Sequence, residues 1–176
     1  MCPGADIGKK AEEGGINKEM IVPKYFEDLE KLHVNTMPNR AYYIPASRRM
    51  DDLVENRAAS DRFFLLSGDW KFHYFDSVYD VKEEFFAEGY DTSAFETIPV
   101  PSVWQNYGHD RHQYTNVRYP FPVDPPYVPY ENPCGAYVRT FEWKKQEEAP
   151  NAFLNFEGVD SCFYVWMNGS FVGYSQ

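Results

Sequence analysis

The residues with the strongest case for ligand chemistry stand between Ile98 and Val138, in IPVPSVWQNYGHDRHQYTNVRYPFPVDPPYVPYENPCGAYV. Trp104, Tyr107, Tyr114, Tyr119 and Tyr127 could stack on sugar faces, where polarised C–H groups meet the negative face of a ring. The reading favoured for most of those rings is that they pin the segment to a β-sandwich. His109 and His112 with Asp110 invite a zinc site, but no further ligand follows at a useful spacing. His33 and His73 have no such companions. Asp124, Glu131 and Asp160 are acidic residues of loops and turns. With 27 acidic residues in the chain, pairs are easy to draw and select nothing, so no catalytic residue is assigned. No Ser-His-Asp signature, phosphate loop or dinucleotide fingerprint is present.

The elements that position these residues follow from local chemistry. Pro99, Pro101, Pro120, Pro122, Pro125, Pro126, Pro129 and Pro133 each restrict φ and remove a donor. Residues before proline are pushed towards extended backbone. The segment therefore reads as a long, stiff, ordered loop rather than a helix, with an aromatic and polar rim suited to a saccharide. Upstream, Trp70, Phe72 and Tyr74 alternate with Lys71 and His73, the period of a half-buried strand, after a turn at Ser67-Gly68-Asp69. Strand character is expected from Phe63, and again over Phe95–Val100, Gly135–Trp143 and Ala152–Phe156. Asn168-Gly169 between Cys162–Met167 and Phe171–Tyr174 predicts a hairpin, because a type I′ turn needs positive φ at both central residues. Short helical pieces are expected at Pro23–Glu30, Met50–Glu55 and Val78–Glu88, the last with Val81, Phe85 and Phe86 on one face. Trp70 and Trp166 are expected in the core.

Composition excludes several classes. A net charge of -10 opposes nucleic-acid binding and an anionic membrane surface, which both need basic faces. No apolar run approaches the roughly 18 residues of a membrane span, and residues 1–20 carry no apolar export core, reading instead as a disordered tail. Cys2, Cys134 and Cys162 have no metal or redox spacing, so they read as free thiols of a cytoplasmic protein. The aromatic share of 18% favours a β-rich, carbohydrate-handling chain.

Four blocks carry a resemblance: SGDWKF, then VPSVWQNYGHD, then YTNVRYPFPVDPPYVPYENPCGAYVRTF, then FEGVDSCFYVWMNGSFVGYSQ. In this order they closely resemble the amino-terminal domain of large bacterial-type β-galactosidases of glycoside hydrolase family 2, over roughly Tyr25 to Gln176. The resemblance implies an all-β, jelly-roll, galactose-binding-like β-sandwich, incomplete at the carboxyl end. An amino-terminal tail and extended arm (1–46) would precede a partial sugar-binding domain (47–176). It implies that Asn116 projects towards the substrate and hydrogen-bonds galactose hydroxyls, with Val117 lining the same pocket; an amide both donates and accepts. The competing role for Asn116 is to turn the loop. The catalytic glutamates would lie in a barrel outside this chain, and the family's Mg²⁺ and Na⁺ find no ligands here. The implied partners are a galactoside, the remainder of the β-galactosidase chain and, at full length, further copies in a homo-oligomer to which the arm contributes. A free-standing carbohydrate-binding module or a complementation segment is the alternative. Without later strands, the sandwich is expected to keep open edges and to be poorly stable alone.

Overall fold

The computed structural model describes residues 20–176. The expected tail at 1–20 lies outside the described residues except for Met20, and Cys2 lies outside them entirely. Six strands form: β1 (His33–Val34), β2 (Gly68–Phe75), β3 (Glu96–Val100), β4 (Cys134–Val138), β5 (Phe163–Met167) and β6 (Ser170–Ser175). They make two antiparallel three-stranded sheets, ordered β3-β2-β4 and β1-β6-β5. This is the all-β sandwich class expected from the sequence.

β2 is the central strand of its sheet. Its alternation holds: Phe72 is fully buried while Lys71 and His73 are exposed. Phe72 stands opposite Tyr137 of β4 and Glu96 of β3. Burying such a ring removes apolar surface worth about 2–3 kcal/mol from water. Around it the core gathers Ile98, Val81, Val78, Phe95, Ala136 and Tyr174. The β5–β6 hairpin turns through Asn168 and Gly169 at φ 48° and 77°, both in the left-handed region that the turn requires. A bulge at Val165/Trp166 shifts the register along it.

The arm packs on its own chain in part. His33 and Val34 pair with Ser175 and Tyr174, and Tyr25 meets the Tyr174 ring edge-on at 5.4 Å. Among the described residues, β1, β3, β4 and β5 are all sheet edges with no further strand partner.

Several expected elements differ. The helix expected at Val78–Glu88 is one 3-10 turn, Val78–Asp80, followed by turns. Phe86 is drawn flat onto Trp166, with centroids 4.3 Å apart and planes 6° apart, and Val81 is buried at the same time. Packing against two surfaces outweighs a weak helical period in a segment with β-branched and aromatic residues. Pro23–Glu30 likewise forms one 3-10 turn, Tyr25–Glu27. Around Met50–Glu55 one turn closes, through the Asn56 N–H and the Asp52 carbonyl at 2.8 Å.

Phe63–Leu66 and Ala152–Phe156 stay outside the sheets; no neighbouring backbone completes a ladder there, so alternation alone builds no strand. The sheet begins at Gly68 itself, one residue after the start of the expected turn. β4 ends at Val138, paired with Lys71, and Arg139 then donates to the Asp69 carbonyl at 3.2 Å instead of continuing the ladder. Trp70 and Trp166 are half-buried rather than enclosed. Trp70 spends its indole N–H on the Leu66 carbonyl at 2.9 Å, which keeps that edge near the surface.

Cys134 and Cys162 are half-buried free thiols. Burial pushes Cys134 up to about 12 and raises Cys162, Tyr164 and Tyr174 in the same direction. The folded chain thus keeps protons that the unfolded chain releases, and stability is lost as pH rises from about 9.0 towards about 12. The expected outcome is a melting temperature that falls steadily above pH 9.0, together with slow alkylation of Cys134 in the folded chain and fast alkylation after unfolding. Mass-mapped alkylation and melts across that range check both.

A Cβ at Gly135 would stand 2.7 Å from Phe72 and 3.0 Å from both Trp104 and Tyr137. Gly135→Ala is expected to destabilise the chain by about 1–3 kcal/mol through overpacking, read as a lower denaturant midpoint.

Candidate functional site

The proline-rich loop leaves β3 at Val100 and enters β4 at Cys134. Its first anchor is a wedge. The 3-10 turn Trp104–Tyr107 ends at Gly108, and the His109 N–H returns to the Trp104 carbonyl at 3.3 Å. This turn drives Trp104 against Phe72 and Tyr74, at 6.2 and 5.7 Å between centroids. The His109 ring lies edge-on to Phe72 at 5.3 Å and stacks on Tyr74 at 5.1 Å. Its Nε2 meets the Glu96 carboxylate of β3, off the line of a good hydrogen bond. The Trp104 indole N–H is also buried without a protein partner. Burial raises Tyr74, helped by the negative charges of Asp110 and Asp76.

The second anchor is a clamp around Tyr130. The Tyr130 ring stacks on Tyr79 at 5.7 Å with planes 8° apart. Its hydroxyl donates to Asp80 at 3.1 Å, and its carbonyl accepts from the fully buried Ser77 hydroxyl at 2.5 Å. The Val78 N–H reaches the Asn132 carbonyl at 2.8 Å. Hydrogen bonding to Asp80 raises Tyr130.

Between the anchors the loop is bare. Among the described residues, no hydrogen bond joins 110–121 to the rest of the chain. Asn116 is exposed and Val117 is 80% exposed. Tyr114 and Tyr119 stand out beside them at 79% and 83%. Asn116, Val117, Tyr114 and Tyr119 are thus all exposed along one stretch of the loop. Of the rings that could have pinned the loop, Trp104 does so; Tyr107, Tyr114, Tyr119 and Tyr127 face solvent. An amide flanked by exposed aromatic faces has the chemistry to hold vicinal hydroxyls and sugar C–H groups.

His109 and His112 are not brought together as a chelate: His109 turns inward onto Phe72 and Tyr74, and His112 is exposed. No group of three metal-ligating side chains gathers among the described residues. Asp124, Glu131 and Asp160 are exposed. The Asp124 carbonyl closes a turn with the Tyr127 N–H at 2.9 Å. A cavity of about 300 Å³ walled by His73, Phe75, Phe85 and Phe95 does not include Asn116 or Val117.

Sequence reasoning missed Glu96, the Tyr79–Tyr130 stack and Glu27, which accepts from the Val128 N–H at 3.4 Å. Their partners lie tens of residues away, and no local pattern marks them. His109→Ala is expected to cost about 1–3 kcal/mol, and His112→Ala less than about 0.5 kcal/mol, in chemical denaturation. Equal effects would contradict the inward placement of His109.

Residues 63–176 match the family described as "Glycosyl hydrolases family 2, sugar binding domain". The chain is 48% identical over 157 residues to a β-galactosidase of Actinobacillus pleuropneumoniae, covering 89% of this chain and 15% of that protein. It is 44% identical over 158 residues to one of Staphylococcus xylosus, with the same coverage. A β-galactosidase of Priestia megaterium is 36% identical over 159 residues. The chain thus spans about 15% of the length of these relatives.

Proposed function

Because the chain belongs to the sugar-binding domain family of the family 2 glycosyl hydrolases, we propose that it is the amino-terminal portion of a β-galactosidase, shaping one wall of the galactose pocket. The observation that carries this reading is the bare rim of Asn116 and Val117, exposed and held at both ends by the Trp104–His109 wedge and the Tyr130 clamp. A rim whose polar tip makes no bond to its own protein keeps its donor and acceptor free for a ligand. Anchored ends lower the ordering cost of binding.

The parent enzyme would cleave terminal β-galactosides with retention, using two carboxyl groups about 5–5.5 Å apart. Neither is assigned to this chain. Mg²⁺ and Na⁺ would act in the full-length enzyme. The enzyme would assemble as a homo-oligomer with help from the arm, and the free thiols of Cys134 and Cys162 support a cytoplasmic setting. The free-standing module reading is not favoured, because the similar proteins are β-galactosidases of far greater length.

In the full-length enzyme, Asn116→Ala is expected to raise KM for an aryl β-galactoside by about 5–100-fold, the worth of one or two hydrogen bonds to the sugar. The 176-residue chain alone is expected to show no turnover of the same substrate. An unchanged KM in the variant, or hydrolysis by the chain alone, would overturn the proposal.

A further inference from the structure

Glu27 sits in the 3-10 turn Tyr25–Glu27, about a hundred residues before the loop it touches. Its side chain is 15% exposed. One carboxylate oxygen accepts from the Tyr79 hydroxyl at 3.0 Å and from the Val128 N–H at 3.4 Å. The other oxygen meets the Lys24 ammonium at 3.4 Å, which also lies over the Tyr79 ring at 5.0 Å. Tyr79 in turn stacks on Tyr130. A single carboxylate therefore ties the amino-terminal turn to the ring that clamps the loop and to the loop backbone itself.

The choice of donor is forced. Pro125, Pro126 and Pro129 have no N–H, and the Tyr127 N–H is used inside the loop on Asp124. Val128 holds the free donor of that stretch, and Glu27 takes it. The stretch between Val128 and Asn116 is stiff, because Pro120, Pro122, Pro125 and Pro126 restrict its backbone. Val128 is thus joined to Asn116 by a stretch with narrowed backbone freedom, and 110–121 has no backbone hydrogen bond to the rest of the chain that would place it independently.

We infer that Glu27 is a positioning residue for the sugar-facing rim, through which the amino-terminal turn sets where Asn116 and Val117 stand. This rests on the reading of Asn116 as a sugar contact. The test is a double-mutant cycle in the full-length enzyme, with kcat and KM for an aryl β-galactoside and a melting curve for each variant. Glu27→Ala is expected to raise KM about fivefold with kcat within about twofold, while in an Asn116→Ala background it adds less than about twofold. Glu27→Gln keeps an oxygen that accepts from Tyr79 and Val128, and is expected to restore KM to within about twofold of the parent. The same KM rise in both backgrounds would overturn the inference, showing that Glu27 does not act through Asn116. So would equal losses in kcat and melting temperature without Gln rescue. If Asn116→Ala alone leaves KM unchanged, the sugar-contact reading fails first, and the inference with it.

Discussion

The structure depends on the complete burial of one ring. Phe72 is the inward residue of the central strand β2. On one side it fixes the register of β3 and β4, facing Glu96 and Tyr137. Its ring also packs against those of Trp104, His109 and Tyr137. The same ring thus closes a piece of core and provides the floor for the start of the proline-rich loop. Gly135 is required beside it, since β4 must approach closer than any side chain would permit. Core and candidate site are not separable here, because the loop is held by what it contributes to the core.

The loop resolves two opposing demands. A rim that binds hydroxyls needs free polar groups, and free polar groups give the backbone no internal reason to be ordered. Proline substitutes stiffness for hydrogen bonds by narrowing φ before any contact is made. The ends then need attachment at few points. The wedge is mainly aromatic packing, while the clamp is mainly polar, built from Ser77, Asp80 and the Tyr79–Tyr130 stack. Acidic groups stand at both attachments, Glu96 at the wedge and Asp80 at the clamp. The exposed middle carries the neutral amide of Asn116.

The second sheet is built around contacts from the arm. β6 is flanked by β5 through a local hairpin and by β1 through a pairing that spans most of the chain. His33 also meets the Ser175 hydroxyl at 3.0 Å, and Asn35 donates to the Val172 carbonyl at 3.1 Å. Further along, Arg57 brings Tyr42 and Glu157 together. The arm is extended, yet it is sewn to its own chain at several points. Its 3-10 turn is the place from which Glu27 reaches the loop.

What the amino-acid sequence determined by itself is whatever depends on neighbours along the chain. The Asn168-Gly169 turn, the alternation of β2 and the rigidity of the proline loop follow from φ restrictions and a two-residue period. The ordered blocks of residues were specific enough to carry the family as well. The tertiary structure decided everything that rests on burial between distant residues. It flattened Phe86 onto Trp166 where a helix was expected, and it left Ala152–Phe156 without a partner strand. It turned His109 inward and left His112 exposed, although they stand only three residues apart. It also joined Glu27 to Val128 across about a hundred residues. Local pattern restricts which conformations a segment can adopt. The free energy that selects among them comes from surfaces that meet only when the chain has folded.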